Sequence, residues 1–172
     1  MRSRPHRGGR WPLLTIALLL VAGAIGAPPA GAAGGTSSSE VLRLLNAARA
    51  HHGAPPLRAD RRLARAAAAH SRDMVANRYF AHASRTGERP SQRIARTGWM
   101  HGRRRWHVGE NLAWGTLRRA RPAAIVAAWL RSPSHRRIML DSRYRVVGVG
   151  VARGIPFAGS RHGLTYTADF GY

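Results

Sequence analysis

The segment Val147-Gly148-Val149-Gly150-Val151 alternates valine with glycine, and Leu164, Tyr166, Ala168 and Phe170 alternate with Thr165, Thr167 and Asp169. A period of two in both runs marks two strands. Glycine at every second position leaves one strand face without side chains, so another element is expected to approach that face closely. The intervening residues 154–163 are too many for a tight turn and read as a hairpin loop.

Upstream the period is helical. Ser37 and Glu40 have the spacing of a capping box, and Val41, Leu44, Leu45 and Ala48 follow on one helical face. Gly53 and Pro55-Pro56 stop that helix. Asp60 caps a second, in which Leu63, Ala67, His70 and Met74 form one stripe that ends near Asn77. Residues 80–88 form a loop, and residues 90–97 a short helix that ends at Gly98. Pro122 opens another helix, with Ile125, Ala128 and Trp129 as its buried face. Ser132-Pro133 ends it, and Ser134 caps a short turn that carries His135, Ile138 and Met139. Helices followed by antiparallel strands make an α+β fold.

The N-terminus has the layout of a Sec-type signal peptide. Arg2, Arg4, Arg7 and Arg10 precede an uncharged run over residues 11–27, and Ala30-Gly31-Ala32 follows as a small-residue cleavage site. The run is 17 residues, shorter than the roughly 20 of a membrane span. The expected organisation is a signal peptide over 1–32, a flexible Gly/Ser-rich lead-in over 33–39 and one domain over 40–172. Removal of residues 1–32 leaves 140 of the 172 residues, enough for one core. The chain has no cysteine, which excludes a disulfide framework and a lipid-modified cysteine anchor.

Charge is the other extreme property. The 29 basic residues, all arginine, face seven acids, and loss of the four leader arginines takes the net charge from +22 to +18. Such a surface attracts polyanions. For an exported protein the candidates are anionic envelope polymers, anionic lipids and extracellular nucleic acid. No helix-turn-helix, zinc-finger or RNA-binding signature accompanies the charge, so no specific nucleic-acid partner is expected.

Three residues have metal-ligand chemistry. His82 lies in Phe80-Ala81-His82, Glu110 in Gly109-Glu110-Asn111-Leu112-Ala113-Trp114, and His135 in Ser132-Pro133-Ser134-His135-Arg136. Two imidazoles and a carboxylate are the ligand types of an open metal site. Intervals of 28 and 25 residues say nothing about proximity. A solvated loop histidine and a surface ion pair account for the same residues. His70 differs, because its place on the helix stripe makes it a hydrogen-bonded core histidine. Trp99, Trp106 and Trp114 suit either a core or a cleft lining.

These segments, with Leu44-Leu45-Asn46-Ala47-Ala48-Arg49, His70-Ser71-Arg72-Asp73-Met74 and Asp169-Phe170-Gly171 in the same order, resemble the CAP or SCP-like superfamily. Its members are the cysteine-rich secretory, antigen-five and pathogenesis-related-one proteins, and the chain is similar to their cysteine-free bacterial branch. The resemblance implies a three-layer α-β-α sandwich with a small antiparallel sheet to which residues 109–114 contribute. It also implies that His82, Glu110 and His135 share one cleft, able to hold Zn²⁺ or another divalent metal. The family's second acidic site residue lies three positions after the helix tryptophan, and here Ser132 occupies that position.

The expected function is a secreted binding domain, its ligand small and amphipathic, such as a lipid, or an anionic envelope component. A metal-dependent, peptidase-like hydrolase is the alternative, in which a bound Zn²⁺ activates water. That chemistry needs a general base, and Ser132 is a poor one. Neither a Gly-x-Ser-x-Gly elbow nor a cysteine nucleophile is present. An extracellular polyanion or nucleic-acid binder is the third reading.

Overall fold

The computed structural model describes residues 30–158 and 162–172. The leader expected over 1–32 therefore lies, up to residue 29, outside the described residues. Helix α1 spans Ala30–His51, followed by strand β1 (Arg58–Ala59), α2 (Arg61–Ala76), α3 (Pro90–Arg96) and β2 (Val108–Thr116). A 3₁₀ turn over Leu117–Ala120 leads to α4 (Pro122–Arg131), α5 (Pro133–Leu140), β3 (Val146–Arg153) and β4 (Gly163–Gly171). The order in the sheet is β1-β3-β4-β2. Both neighbours of β4 are antiparallel to it, while the two-residue β1 pairs parallel with β3, so the sheet is mixed.

Helix α2 covers one face of the sheet, and α1, α4 and α5 cover the other. This is the expected α+β sandwich. The larger core lies on the three-helix side, where Val41, Leu45, Trp129, Tyr166 and Phe170 meet. A smaller one, built on Leu63, Ala66, Ile94 and Trp99, lies on the α2 side. The glycine face of β3 is what α2 occupies. A Cβ on Gly148 would fall 2.0 Å from the Ala64 nitrogen, and one on Gly150 2.1 Å from the Ala68 nitrogen.

Local structure follows the expected signals with four differences. Helix α1 begins at Ala30, so residues 33–39 are helical and not a lead-in, and Ser37 lies inside the helix. In α4 the buried residues are Ile125, Val126 and Trp129, whereas Ala128 is exposed. The cap of α5 is Ser132, not Ser134, because Pro133 takes the first helical position, where its missing N–H costs nothing. Finally, β4 reads as half-polar yet is buried on both faces, because it lies between two strands and beneath α2. Its polar residues turn inward: the Ser71 hydroxyl donates to Thr167 Oγ1 at 2.9 Å.

Asp60 starts α2 as expected, accepting from the Arg62 and Leu63 amides, and its second oxygen accepts from the Trp99 indole at 3.1 Å. Asp60→Ala should cost about 1–2 kcal/mol of stability through the lost cap. Urea unfolding measures this, and a loss near zero would show that the cap does not hold the helix start.

Candidate functional site

Strand β2 is an edge strand, and the predicted site residues gather at the end of it near Glu110. His82 comes from the α2–α3 loop on one side of the sheet and His135 from α5 on the other. The loop around His82 has no regular ladder, so side chains hold it. The buried His70 donates from Nε2 to the Ala81 carbonyl at 3.0 Å, which makes the core histidine a strut for the neighbouring site residue. Burial lowers the pKa of His70 and keeps the ring neutral. Arg93 of α3 donates to the carbonyls of Glu88 and His82, each at 2.9 Å.

Glu110 is buried, with both oxygens engaged. Oε1 lies 2.7 Å from His82 Nδ1, and Oε2 accepts from Arg93 Nη2 at 2.7 Å. The guanidinium offsets the cost of a buried carboxylate. Strand register puts Asp169 directly opposite Glu110, with Gly148 on its far side. Both Asp169 oxygens are buried without a donor. Burial, and then the Glu110 charge, push the Asp169 carboxyl well above the usual range. Facing Glu110 across the strand pair, the buried Asp169 carboxyl thus favours its neutral form.

His135 is half-buried, and its Nδ1 meets the Ser132 hydroxyl at 2.8 Å. Ser132, the N-cap of α5, therefore gives its hydroxyl to the histidine and not to an α5 amide. Asn111, next to Glu110, donates to the His135 carbonyl at 3.1 Å and ties α5 to the edge strand. Burial lowers the pKa of His135, and nearby His82 lowers it further.

His82, Glu110, Ser132 and His135 thus gather at one sheet edge, though not as three equivalent ligands. With both oxygens held, Glu110 stands behind His82 as its carboxylate partner. Among the described residues no group of three or more acidic, histidine or cysteine side chains is placed to hold an ion. What remains is a pair of imidazoles, each anchored through Nδ1. His82 is the more open, its side chain 57% exposed.

Other residues lie elsewhere: Glu88, at the end of the His82 loop, pairs with Arg96 at the surface, and Trp99 is core. Trp106 and Trp114 are exposed. Arg93 was not expected: a single arginine in a short helix gives no local sign that it will be buried. The only signal was its place beside Ile94 on a helix that must cover apolar residues.

The chain belongs to the CAP superfamily: the profile of the cysteine-rich secretory protein family matches residues 42–157. It is 37% identical over 118 residues to the uncharacterized membrane protein YlbC of Bacillus subtilis, covering 69% of this chain and 32% of that protein. It is 34% identical over 111 residues to YkwD of the same organism, covering 64% of this chain and 40% of that one. The match thus spans well under half of either relative. Among solved structures, an extracellular protein containing an SCP domain from Bacillus anthracis superposes with a TM-score of 0.67 at 29% identity, covering 80% of this chain and 40% of that one.

Proposed function

We propose that this is an exported CAP-domain binding protein whose ligand seats across the outer edge of β2, between His82 and His135. The observation that carries the reading is the anchoring of both rings through Nδ1, by Glu110 and by Ser132. A carboxylate or hydroxyl behind an imidazole orients the ring and aims its free nitrogen outward. Export rests on the leader's layout and on the likeness to an extracellular protein. The ligand classes are an amphipathic small molecule, such as a lipid, or an anionic envelope component, in keeping with the excess of arginine.

The donor set also suits a divalent cation such as Zn²⁺, with His82 Nε2 and His135 Nε2 as protein ligands and Glu110 as the partner behind His82. A bound Zn²⁺ would supply Lewis acidity at the sheet edge. The residues of this chain favour binding over hydrolysis. Glu110 is neutralised by Arg93, Ser132 is committed to His135, and Asp169 is buried away from the edge.

Calorimetric titration with zinc should show His82→Ala and His135→Ala each losing at least about tenfold in affinity, and Glu110→Gln about 10–100-fold. The lowered pKa of His135 keeps that ring neutral at pH 7, so affinity should hold there and fall as acid protonates the imidazoles. Native mass spectrometry of protein from an exporting host reads bound metal, bound lipid and the mature N-terminus together. Unchanged zinc affinity in both histidine variants would remove the metal from the proposal. Peptidase or esterase turnover lost in Glu110→Gln would make the protein an enzyme.

A further inference from the structure

We infer that the end of the sheet opposite His82 and His135 is a docking surface for an anionic phospholipid membrane. Three strands finish there together. Arg153 of β3, Leu164 of β4 and Gly115 of β2 share one row, and Thr116 and Gly163 make the last pair. Leu117 comes next. It is 82% exposed and sits at a φ of +49°, a backbone setting that favours glycine. A strained backbone that turns a leucine fully into water, when a polar residue or glycine would serve, is an arrangement that calls for a function.

Leu117 is not the only apolar group there. Trp114 on β2 meets Phe157 of the β3–β4 loop edge-on at 5.3 Å between ring centroids, and both are exposed, at 40% and 46%. The loop lies over the same strand ends, since a Cβ on Gly163 would meet Ile155 at 2.4 Å and the Gly115 carbonyl at 2.7 Å. A leucine and two aromatic rings at one tip are the side chains that enter the headgroup layer of a bilayer.

The exposed charges on the turn after β2 and at the end of β3 are all basic. Arg118, Arg119, Arg121 and Arg153 are exposed around the tip. None of them pairs with a carboxylate among the described residues. The chain has no acidic residue over 111–140 or 142–168, which supply the strand ends and their turns, and Asp73, on the part of α2 that meets Gly154, is held by Asn77 and Tyr79. Arginines ringing an apolar tip match an anionic lipid surface, which takes the side chains in and pairs with the guanidinium groups at once. A soluble anionic polymer would pair with the arginines and leave Leu117 in water, so the leucine favours the membrane. No described helix is long and apolar enough to cross a membrane, and the contact is peripheral.

Seven residues of strand and turn separate Glu110 from Leu117, about 23 Å at 3.3 Å per residue. The docked protein would therefore hold its histidine edge away from the bilayer. The inference does not depend on what that edge binds.

The test is sedimentation of the protein from an exporting host with vesicles of phosphatidylcholine, with and without phosphatidylglycerol. Binding is compared between variants at one vesicle composition, so any contribution from the N-terminus common to all variants cancels. Leu117→Gly suits the positive φ and should keep the thermal midpoint. It should weaken binding to anionic vesicles about tenfold, the effect of losing one inserted leucine. Binding to polyphosphate should stay unchanged in the same variant. The double variant Arg118→Gln with Arg119→Gln should weaken vesicle binding more than Arg136→Gln with Arg137→Gln, which removes equal charge from α5. Unchanged vesicle binding in Leu117→Gly would overturn the inference. So would equal losses in the two double variants, or parallel losses to vesicles and polyphosphate in Leu117→Gly, which would point to a soluble polyanion.

Discussion

Gly148→Ala should unfold much of the protein at temperatures where the wild type is intact, and Gly150→Ala should do the same. The added methyl at 148 would sit 2.0 Å from the Ala64 nitrogen and 2.1 Å from the Leu63 carbonyl carbon. These are backbone atoms of a helix and cannot rotate away. Relief requires α2 to lift from β3 and β4, which opens the smaller core and uncovers the buried polar face of β4. Overpacking costs about 1–3 kcal/mol in a core where side chains can adjust. Main chain against main chain belongs at or above the top of that range. In a domain of this size the melting temperature should fall by about 10 °C or more. Calorimetry on the two variants is the measurement. Near-native midpoints in both would mean that α2 does not lie on the glycine face.

The second large effect is expected at Arg49, which is fully buried with no carboxylate partner. Its guanidinium donates to four carbonyls: Pro55 at 2.7 Å, Met139 at 2.7 Å, Asp141 at 3.1 Å and Tyr144 at 3.3 Å. Those groups lie after α1, at the end of α5 and before β3, so one side chain joins three chain segments. Burial lowers the Arg49 pKa, but the guanidinium remains charged at the carboxyl end of α5, where the helix dipole favours a cation. Arg49→Met keeps the volume and removes every donor. The Asp141 and Tyr144 carbonyls keep the Tyr144 amide and Arg145 as donors, while those of Pro55 and Met139 are left without one; at about 1–3 kcal/mol for each orphan, a loss of about 2–6 kcal/mol is expected. Arg49→Lys should recover part of it, since an ammonium cannot span the same fork of acceptors. Denaturant unfolding gives both values. A loss below about 1 kcal/mol for Arg49→Met would show that water replaces the guanidinium.

Arg49 and Gly148 illustrate two kinds of legibility. Alternating glycine in a strand already implied a close neighbour, and the structure identifies that neighbour as α2. Arg49 lies in a helix whose apolar face was read correctly from Val41, Leu44, Leu45 and Ala48, yet it gave no sign of burial. A charged side chain goes inside only where several acceptors converge, and three of the four carbonyls that hold Arg49 are 90 or more residues away in the chain. The same holds for Arg93, whose acceptors are the loop of His82 and the carboxylate of Glu110.

Periodicity and punctuation in the sequence determined the helices, the strands β3 and β4, the cap at Asp60, the helix start at Pro122, and the absence of covalent staples. The order of its motifs determined the family. These are local properties, written in steps of two, three or four residues. The tertiary structure alone decided that Glu110 would stand behind His82 with both oxygens engaged, and that Asp169 would face it as a buried acid. It also decided that Ser132 would hold His135, and that Leu117 and the Trp114–Phe157 pair would share one end of the sheet. Each of these depends on strand register and on which helix covers which face. Register sets partners such as Glu110 and Asp169 at a separation of 59 residues, and no local pattern encodes that distance.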